Sequence, residues 1–495
     1  MTHPAPDDTA PELPTALEQG EPPPEQGGPP PRDLVGIGIG PANLSLAALA
    51  QPLSQLDTAF YERRPAFDWH PGLLIDGTTL QVPFLADLVT LVDPASRWTF
   101  LNYLRARDRL FPFYLAERFH IHRAEYDAYC RWVSENLPGL HFRHQVDTIR
   151  WNARRALFEV EHTRLGPDGT PRSRHRTPAR HIALGIGTEP HVPAPLRPLA
   201  DDPHAPVIHS ADYLHHRERL LKARHLTVIG TGQSGAEVFL DLLRHRPPGR
   251  EHIHWLGRTP AFAPMEYSKL GLEHFTPDYT RYFHGLAEPV RDRLVAGQWQ
   301  LHKGIDADTI TAIHDELYRR TLDGGWPAAA LTPGVHVRTA DRAPDGPASS
   351  APDGQASSAP DGQAAPAPHE PPHGRIRLGL EHVEQGTRTT LETDAVVLAT
   401  GYRQRPLDHL LTGLAHHIRR DHAGRPQVDD HYRLRLDAAI TGDVYVQNAE
   451  LHTHGVGAPD LGLVAWRSAT ILNTLTGKEI HRLPDRTAFT TFGLR

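Results

Sequence analysis

The pattern of apolar and polar residues that begins at DLVGIGIG predicts a strand, a glycine turn, a helix and a second strand, in that order. The run DLVGIGIG is apolar until it ends in glycines, and PANLSLAALAQPL then places Leu44, Ala47, Ala48 and Leu49 at helical spacing. The segment TAFYERR follows as a second strand that closes on an acidic residue. These elements predict a βαβ unit.

A second unit of the same kind begins at HLTVIGTGQSGAEVFLDLLRH and closes on the strand HIHWLGR. Further along, TDAVVLATGY has the pattern of a buried strand that leads into a glycine turn, and GDVYVQNAEL that of another strand. With the first unit resumed after the second, the pattern predicts an α/β fold with two Rossmann-like dinucleotide-binding domains.

Two segments of low complexity divide the chain. Residues 1–32 are rich in Pro, Glu and Gly, and residues 341–374 contain APDG three times. Neither segment can bury enough apolar surface to offset its chain entropy, so we expect a disordered tail and an expanded surface loop. The predicted domains are then the first part of one nucleotide-binding domain at 33–205, a second such domain at 206–340, and the rest of the first at 375–490.

Composition limits the classes of function. Of the 495 residues, 39% are hydrophobic and 22% are charged, and the net charge of −7 favours neither nucleic acid nor an anionic membrane as a partner. The sequence has no apolar run of membrane-spanning length and no signal-peptide core, so we expect a cytoplasmic protein. The 34 histidines are scattered without a HExxH or Cys/His cluster, and we predict no metal site.

The first glycine turn, GIGIGPANLSLA, predicts a phosphate-binding site. Gly38 and Gly40 let the backbone approach a pyrophosphate, and Pro41 opens the helix whose N-terminus would hold it. Asn43 replaces the third glycine of the GxGxxG fingerprint. Glu62, at the end of the next strand, can accept hydrogen bonds from a ribose diol. A nucleotide site is therefore favoured over a plain tight turn.

The second turn matches the fingerprint in full. Its nucleotide-binding candidates are Gly230, Gly232, Gln233, Ser234 and Gly235. The strand that follows leads to Arg258 and not to an acid. A guanidinium can bind a 2′-phosphate bidentately, whereas a carboxylate would repel it, so NADPH is predicted over NADH unless Arg258 is only a solvated strand end.

Two nucleotide sites raise the question of what passes between them. A disulfide reductase needs paired redox cysteines beside its flavin, and Cys130 is the only cysteine. Monooxygenation needs no nucleophile from the protein. NADPH reduces the flavin, oxygen adds at C4a, and the protein shields the hydroperoxyflavin from water. We therefore expect the flavin to carry the chemistry, with no catalytic side chain.

Longer motifs resemble the flavin-dependent N-hydroxylating monooxygenases of siderophore biosynthesis, the lysine N6- and ornithine N5-monooxygenase family. The resemblance covers about residues 33–480 and is carried by FDWHPGLLIDGTTLQVPFLADLVTLVDPASRWTFLNYL, VIGTGQSGAEVFLDLL, DAVVLATGY and LHTHGVGAPDLGLVAWRSA, together with the first glycine turn. A Baeyer–Villiger monooxygenase would show FxGxxxH between its nucleotide units, and PHAPVIH keeps only the histidine.

The resemblance implies FAD on the first unit, NADPH on the second and a small helical substrate region at about 265–330. It implies that Trp69, His70 and Gln81 line the isoalloxazine ring, and that Thr400 and Gly401 pack close to the FAD. It also implies a small amine substrate, O2 as co-substrate, and a homo-oligomer, either a dimer or a tetramer.

Two positions distinguish this chain from the amino-acid hydroxylases of the family. Ala86 stands where a lysine typically pairs with the substrate carboxylate, and Gly462 where a serine helps to hold the amino-acid end. A carboxylate without a partner in a closed site would cost on the order of several kcal/mol. We therefore predict a diamine, putrescine or cadaverine, as the substrate in a hydroxamate siderophore pathway, with Gln81, Ala86 and Gly462 at the substrate site.

Two alternatives stay open. Lys303 or an arginine could replace the missing cation, which would restore L-lysine or L-ornithine as the substrate. In a different class, the chain could be a non-hydroxylating FAD/NADPH-binding protein or an NADPH oxidase.

Overall fold

The computed structural model describes residues 29–322, 324–343 and 375–494. The predicted disordered tail and the predicted APDG loop therefore fall largely outside the described residues. At their margins, the first strand begins at Arg32 and another strand runs to Arg342.

The described residues form seventeen strands: β1 (Arg32–Ile37), β2 (Thr58–Glu62), β3 (Leu140–Phe142), β4 (His144–Asn152), β5 (Leu157–Leu165), β6 (Pro171–Leu184), β7 (Thr188–Pro190), β8 (Val207–His209), β9 (Leu226–Ile229), β10 (Ile253–Leu256), β11 (Ala329–Thr332), β12 (Val335–Arg342), β13 (Ile376–His382), β14 (Thr387–Thr393), β15 (Ala395–Leu398), β16 (Tyr402–Gln404) and β17 (Val444–Val446).

The same residues form fourteen α-helices: α1 (Pro41–Ala50), α2 (Phe100–Ala106), α3 (Leu110–Ala116), α4 (Arg123–Asn136), α5 (Arg197–Ala200), α6 (Tyr213–Lys222), α7 (Gln233–His245), α8 (Lys269–Leu272), α9 (Pro277–His284), α10 (Glu288–Gly297), α11 (Trp299–His302), α12 (Ala307–Arg319), α13 (Leu451–His454) and α14 (Val464–Thr476).

The first sheet joins a parallel half to an antiparallel half through β6. Strands β3, β2, β1, β6 and β17 lie parallel in that order, and β4 and β5 extend the sheet as an antiparallel pair. With fourteen residues, β6 is long enough to pair with β5 through its first half and with β1 and β17 through its second. Helix α1 crosses from β1 to β2, as the sequence predicts.

Helix α1 is buried at eight of its ten positions, so it has no solvent face. It packs against α14 on one side and contributes to the core that covers the first sheet. This explains why its sequence, PANLSLAALA, is apolar nearly all round.

The second sheet is parallel throughout, in the order β11, β10, β9, β15, β8. This strand order corrects one expectation: β15 was placed in the resumed first domain at 375–490, and it instead lies inside the second sheet, between β9 and β8. All four residues of β15 are buried and apolar, as a central parallel strand covered on two faces requires. The resumed part of the first domain therefore begins after Leu398.

Three further features complete the chain. Strands β12, β13 and β14 form an antiparallel sheet, and β7 pairs with β16 where two connecting segments run side by side between the large sheets. Helices α8 to α12 occupy the region from 265 to 330 that was expected to be helical. Within the described part of the chain, no helix has the length and apolarity needed to cross a membrane.

Candidate active site

The first glycine turn has the space and polarity to hold an anion. Gly38 has φ +85°, and a Cβ there would lie 2.5 Å from the carbonyl oxygen of Gly185. At Gly40 a Cβ would meet nothing within 4 Å, so the turn is open on that side. Helix α1 starts at Pro41 with no side-chain cap and no acidic residue in its first turn, which leaves its positive end available to a pyrophosphate.

Asn43 fills the place of the third fingerprint glycine with hydrogen bonds. It is fully buried, and its Nδ2 donates to the carbonyl oxygens of Ile37 (3.0 Å), Gly38 (2.8 Å) and Ala183 (3.3 Å). Its Oδ1 accepts from Nε2 of Gln447 at 2.6 Å. The departure from GxGxxG thus ties the turn to β6 and to the segment after β17, and the turn stays intact.

Glu62 ends β2 and supports the same turn. Its Oε2 accepts from the backbone N–H of Ile39 at 3.0 Å, and its Oε1 accepts from the N–H of Arg64 at 2.9 Å. Each carboxylate oxygen retains a second acceptor site, so the predicted ribose contact is compatible with this geometry.

The second glycine turn is held tightly against β15. Gly230 has φ +129°, and a Cβ there would lie 2.1 Å from the carbonyl oxygen of Ala399. A Cβ on Gly235 would lie 2.2 Å from the carbonyl oxygen of Gly230, whereas one on Gly232 would reach only the carbonyl of Lys303, at 3.4 Å. The backbone therefore packs closely at the first and third glycines and is open at the second, where a pyrophosphate must approach.

Gln233 uses its side chain differently from the sequence expectation of a nucleotide contact. Its Nε2 donates to Oε1 of Glu237 (2.8 Å) and Oγ1 of Thr309 (3.0 Å), and its Oε1 accepts from the N–H of Asp306 at 2.7 Å. The side chain thus joins α7 to the start of α12. Its own backbone and that of half-buried Ser234 lie in the first helical turn, where a phosphate would bind.

A cluster of cations lies beside the second turn. Burial lowers the pKa of His191, and the nearby charges of Arg403, Arg197, Arg258 and Lys303 lower it further. Arg403 is paired with Glu189, whereas Arg258 and Lys303 are exposed and make no ion pair with another described residue. Arg258 is therefore accessible to a 2′-phosphate, and that contact stays a prediction.

Trp69 and His70 meet Tyr402 of the ATGY motif. The Trp69 ring lies edge-on to His70, with their centroids 5.0 Å apart, and the His70 ring lies edge-on to Tyr402 at 5.6 Å. His70 is solvent-exposed by surface area, but the protein packed around its ring lowers the pKa of His70 to about 4, and the charges of Arg123 and Arg64 add to the effect. His70 is therefore neutral at pH 7.

Gln81 carries a buried donor without a partner. Its Nε2 is enclosed and makes no hydrogen bond, although its backbone oxygen accepts from the hydroxyl of Tyr267 at 3.3 Å. A buried amide N–H without an acceptor is costly, and the carbonyl and ring-nitrogen acceptors along the edge of a flavin would satisfy it. The residues of this pocket therefore fit an isoalloxazine ring.

Thr400 and Gly401 lie where the connecting segments of the two sheets meet. The Thr400 hydroxyl donates to the carbonyl oxygen of His191, and the carbonyl oxygen of Gly401 accepts from the N–H of His191 (2.9 Å) and from the His209 ring (3.0 Å). The Thr400 side chain is thus occupied in this junction. Close packing of both residues on FAD stays a prediction.

The apolar stretch Leu80 to Thr90 is a series of turns and not a regular helix or strand. Asp87 holds it together, because its carboxylate accepts from the N–H groups of Val89, Thr90 and Phe100 at 2.7–2.9 Å. Ala86 is only 5% exposed, so its methyl group is buried among neighbouring protein atoms. Its place at the substrate site stays a prediction.

Gly462 brings in a residue that the sequence interpretation missed. Its N–H donates to Oδ1 of Asp460 at 2.7 Å, and a Cβ on Gly462 would lie 2.8 Å from the same oxygen. Burial raises the pKa of Asp460 to about 6, against the opposing effects of that hydrogen bond and of Arg467. Burial also raises the pKa of Tyr267, and the charges of Asp306 and Asp460 raise it further against that of Arg123, so Asp460 acts electrostatically on the residue whose hydroxyl contacts Gln81. The sequence signal that could have identified this residue is the acid of the PDLG motif, Asp460.

An ion pair links the two nucleotide-binding units at this site. Nη1 of Arg123, on α4, lies 2.8 Å from Oε2 of Glu237, on α7, and the Arg123 Nε donates to the carbonyl oxygen of Thr79. Both side chains are at most 14% exposed. Burial raises the pKa of Glu237, against the opposing charge of Arg123. Together with Gln233, this pair connects the flavin side, the second turn and α12.

Known proteins are similar in sequence to this chain along nearly its whole length. The profile of the L-lysine 6-monooxygenase/L-ornithine 5-monooxygenase family matches residues 31–352. The rhizobactin siderophore biosynthesis protein RhbE of Rhizobium meliloti is 42% identical, over 93% of this chain and 95% of that protein. The putrescine N-hydroxylase of Shewanella oneidensis is 38% identical, over 93% and 84% respectively.

Solved structures share the fold. FAD-bound DfoA, the cadaverine monooxygenase of the desferrioxamine pathway of Erwinia amylovora, has a TM-score of 0.83 at 33% identity and covers 94% of this chain and 99% of its own. The ornithine N-hydroxylase KtzI of Kutzneria sp. 744, with reduced FAD, NADP+ and L-ornithine, has a TM-score of 0.77 at 27% identity, with coverages of 90% and 99%.

These similarities confirm the predicted family, the fold with two dinucleotide-binding domains and the two cofactors. The chain belongs to the lysine 6-/ornithine 5-monooxygenase family and is a flavin-dependent N-monooxygenase that uses FAD and NADPH.

Proposed function

We propose that this enzyme hydroxylates one terminal amine of a small aliphatic diamine, putrescine or cadaverine, as a step in hydroxamate siderophore biosynthesis. The observation that carries the proposal is the charge that acts on Tyr267, whose hydroxyl contacts Gln81: the carboxylates of Asp306 and Asp460 act on this residue, and position 86 carries no cation. A putrescine N-hydroxylase and a cadaverine monooxygenase among the similar proteins support it.

Of the cations considered for the missing lysine, two are in ion pairs and the third lies at the second turn. Arg123 pairs with Glu237, and Arg467 pairs with buried Glu450 at 2.8 Å. Lys303 belongs to the second turn, since its carbonyl faces Gly232 and its charge acts with Arg258 on His191. The proposal therefore gives none of these three cations the role of the missing lysine. A substrate carboxylate would meet Asp460 without a counter-charge and be repelled.

Asp460 has the properties needed to anchor the distal ammonium of a diamine. With a pKa of about 6 its carboxylate is mostly ionised at neutral pH, and an ammonium beside it would lower that pKa by stabilising the charged form. A diamine held there at one end would extend its other amine towards Gln81, whose backbone oxygen accepts from the hydroxyl of Tyr267, the side chain on which the charge of Asp460 acts.

The other residues of the site bind, orient and shield. FAD reduced by NADPH supplies the oxygen-transfer chemistry when bound. The turn at Gly38 and Gly40 with the positive end of α1 would hold its pyrophosphate, and the Gln81 Nε2 would donate to the flavin edge. Neutral His70 adds no positive charge that would repel a diammonium substrate.

An amine panel tests the proposal. The holoenzyme is supplied with putrescine, cadaverine, L-lysine or L-ornithine, and NADPH oxidation, hydroxylamine product and peroxide are measured in the same samples. We expect hydroxylamine to form in step with NADPH for a diamine and mainly peroxide for the amino acids. Hydroxylamine from lysine or ornithine alone would overturn the substrate assignment, and peroxide alone from every amine would overturn N-hydroxylation.

Position 86 offers a second test. Ala86→Lys should lower kcat/KM for the diamine more than Ala86→Met does, because the two side chains have similar length and only lysine adds a charge that repels an ammonium. The KM for NADPH should stay unchanged in both variants. Equal diamine kinetics in the two variants would show that charge at position 86 does not determine substrate specificity.

A further inference from the structure

A cavity of about 240 Å³ lies where α10 meets α13 and the segment from 421 to 435. Neither glycine turn lines it, and none of the predicted substrate-site residues does. Ligand pockets for drug-sized molecules are typically about 300–1,000 Å³, so this cavity suits a smaller ligand. One water takes about 30 Å³ in the liquid, which leaves room here for a ligand of several heavy atoms. We call this space the α10 cavity.

Two guanidinium groups line the α10 cavity without a carboxylate partner. Nη1 of Arg291, on α10, donates to the carbonyl oxygen of His284 at 3.2 Å, but its Nε is buried and has no hydrogen-bond partner. Arg435 is exposed. Neither arginine forms an ion pair within the described ranges of the chain. A buried, charged N–H without an acceptor is costly, and an anion beside it would satisfy it.

The two acidic residues that line the α10 cavity already have partners. Oδ2 of Asp421 accepts from Nε of Arg425 at 2.7 Å, and Oδ1 of Asp421 accepts from the Arg425 N–H at 2.8 Å. The carboxylate of Glu288 accepts from the ring of His422, and this hydrogen bond lowers the pKa of Glu288. These acids are therefore engaged with other cations, and the two guanidinium groups keep their positive charge available to a ligand.

Two histidine rings fix the wall of the cavity beside the arginines. Nε2 of His284 donates to the carbonyl oxygen of Val428 at 3.1 Å, and Nε2 of His452, on α13, donates to the carbonyl oxygen of Pro426 at 2.8 Å. Burial lowers the pKa of His452, so its ring is neutral at pH 7. The wall is therefore held by hydrogen bonds to the backbone, and the charge that would recognise a ligand comes from the arginines.

We propose that the α10 cavity binds a small anion with two acidic groups, a dicarboxylate or a diphosphate, through Arg291 and Arg435. A guanidinium pairs with a carboxylate or a phosphate in bidentate geometry, and two guanidinium groups match a ligand with two such groups. Because the cavity is built from three separate parts of the chain, a bound anion stabilises the fold by its binding free energy. The inference does not depend on which amine the enzyme hydroxylates.

Isothermal titration calorimetry of the FAD-loaded full-length enzyme tests the site, with NADP+ at saturation so that the second glycine turn is occupied. Pyrophosphate and malonate are the probes, and acetate is the comparison with a single carboxylate. We expect saturable binding at a single site, at least about 10-fold tighter for pyrophosphate or malonate than for acetate. The probe that binds more tightly shows whether the site prefers phosphate or carboxylate groups.

Arginine variants locate the site. The double variant Arg291→Gln with Arg435→Gln should weaken binding of the better probe by about 100-fold or more, and Arg435→Gln alone by about 10-fold, because each substitution removes a charge-assisted contact. Arg419→Gln is the matched control. Arg419 is exposed and lines a neighbouring cavity together with Arg435, but it does not line the α10 cavity, so the affinity should stay unchanged.

FAD content and far-UV circular dichroism establish that the variants are folded, and if the double variant does not fold, Arg435→Gln alone decides the test. Binding that stays unsaturated above about 10 mM of either probe would overturn the proposal. Wild-type affinity in the arginine variants would place the anion at another site and overturn it as well. An equal loss in Arg419→Gln would show that only the general charge of this surface attracts the anion.

Discussion

In the first nucleotide-binding unit the helix after the turn carries buried Asn43 at the third fingerprint position, and in the second unit it carries Gly235. Both turns nevertheless press their first glycine against the strand that neighbours them. Gly38 faces the carbonyl of Gly185, just after β6, and Gly230 faces the carbonyl of Ala399, just after β15. Both turns therefore need a glycine at the first position, where the backbone comes close to the neighbouring strand. The third position also accepts an asparagine, because its amide forms hydrogen bonds with the carbonyl oxygens around it.

The ends of the second strands differ in charge. Glu62 accepts two backbone N–H groups beside the first turn, and Arg258 is exposed beside the second with no ion-pair partner among the described residues. The acid suits a ribose diol and the cation suits a 2′-phosphate. We therefore expect the side chain at the end of the next strand to distinguish a ribose diol from a 2′-phosphate at two otherwise similar turns.

The largest expected effects come from the matched variants Gly40→Ala and Gly232→Ala. Neither added Cβ clashes with the protein, so neither should unfold it, but each blocks the approach of a pyrophosphate. Gly40→Ala should weaken FAD binding by about 100-fold or more, and Gly232→Ala should keep FAD and raise the KM for NADPH similarly. FAD titration and steady-state kinetics measure the two effects, and loss of FAD in Gly232→Ala would reverse the assignment of the turns.

Asn43→Gly should complete the fingerprint and yet destabilise the protein. The carbonyls of Ile37, Gly38 and Ala183 and the amide of Gln447 lose their partner, and a helical glycine adds about 1 kcal/mol, for a total of about 2–4 kcal/mol. The thermal midpoint of the apoprotein should therefore fall. An equal or higher midpoint would show that the amide network does not stabilise the turn.

Arg258→Ala should reduce the preference for NADPH over NADH by about 10- to 100-fold, because a charge-assisted contact to the 2′-phosphate is worth about 1.5–3 kcal/mol. The kinetics with NADH should change little. Arg403→Ala is the control, since Arg403 lies in the same cation cluster but is already paired with Glu189. Equal losses with NADPH and NADH in Arg258→Ala would exclude a contact to the 2′-phosphate.

The smallest effect is a pH dependence of stability in the first sheet. Burial lowers the pKa of His162 to about 4, and the neighbouring His144, His175 and His141 contribute. The unfolded imidazole titrates near 6.5, so the unfolded state binds more protons between pH 6.5 and 4 and stability falls as pH falls through that window, by on the order of 1–2 kcal/mol. Thermal midpoints of the wild type and of His162→Gln should converge at low pH, and parallel curves would contradict this.

Much of the fold follows from local sequence patterns. The two strand–turn–helix units could be predicted because their glycines and apolar spacing lie within about twenty residues. The sheet that β15 joins could not, since AVVL is equally apolar at the centre of either parallel sheet. Only its pairing with β8 and β9, which begin more than 160 residues earlier, shows which sheet β15 joins.

The site was predicted in part for the same reason. The roles of Gln233 and Asp460 depend on residues distant in sequence: Gln233 meets Thr309, 76 positions away, and Asp460 acts on Tyr267. The predictions at Ala86 and Gly462 rest on family residues that are absent there. The acid two positions before Gly462 is present, and that approach could not identify it. The residues whose chemistry comes from a local turn, Gly38, Gly40 and Glu62, needed no such contacts.

The measurement that tests the central claim most directly is the ratio of kcat/KM for a diamine to that for L-lysine, in the wild type and in Asp460→Asn. We expect the wild type to favour the diamine, and the variant to lose about 100-fold in diamine kcat/KM, near 3 kcal/mol, with little change for lysine. The KM for NADPH serves as the control and should not move. A wild type that favours lysine, or a ratio that Asp460→Asn leaves unchanged, would contradict the account.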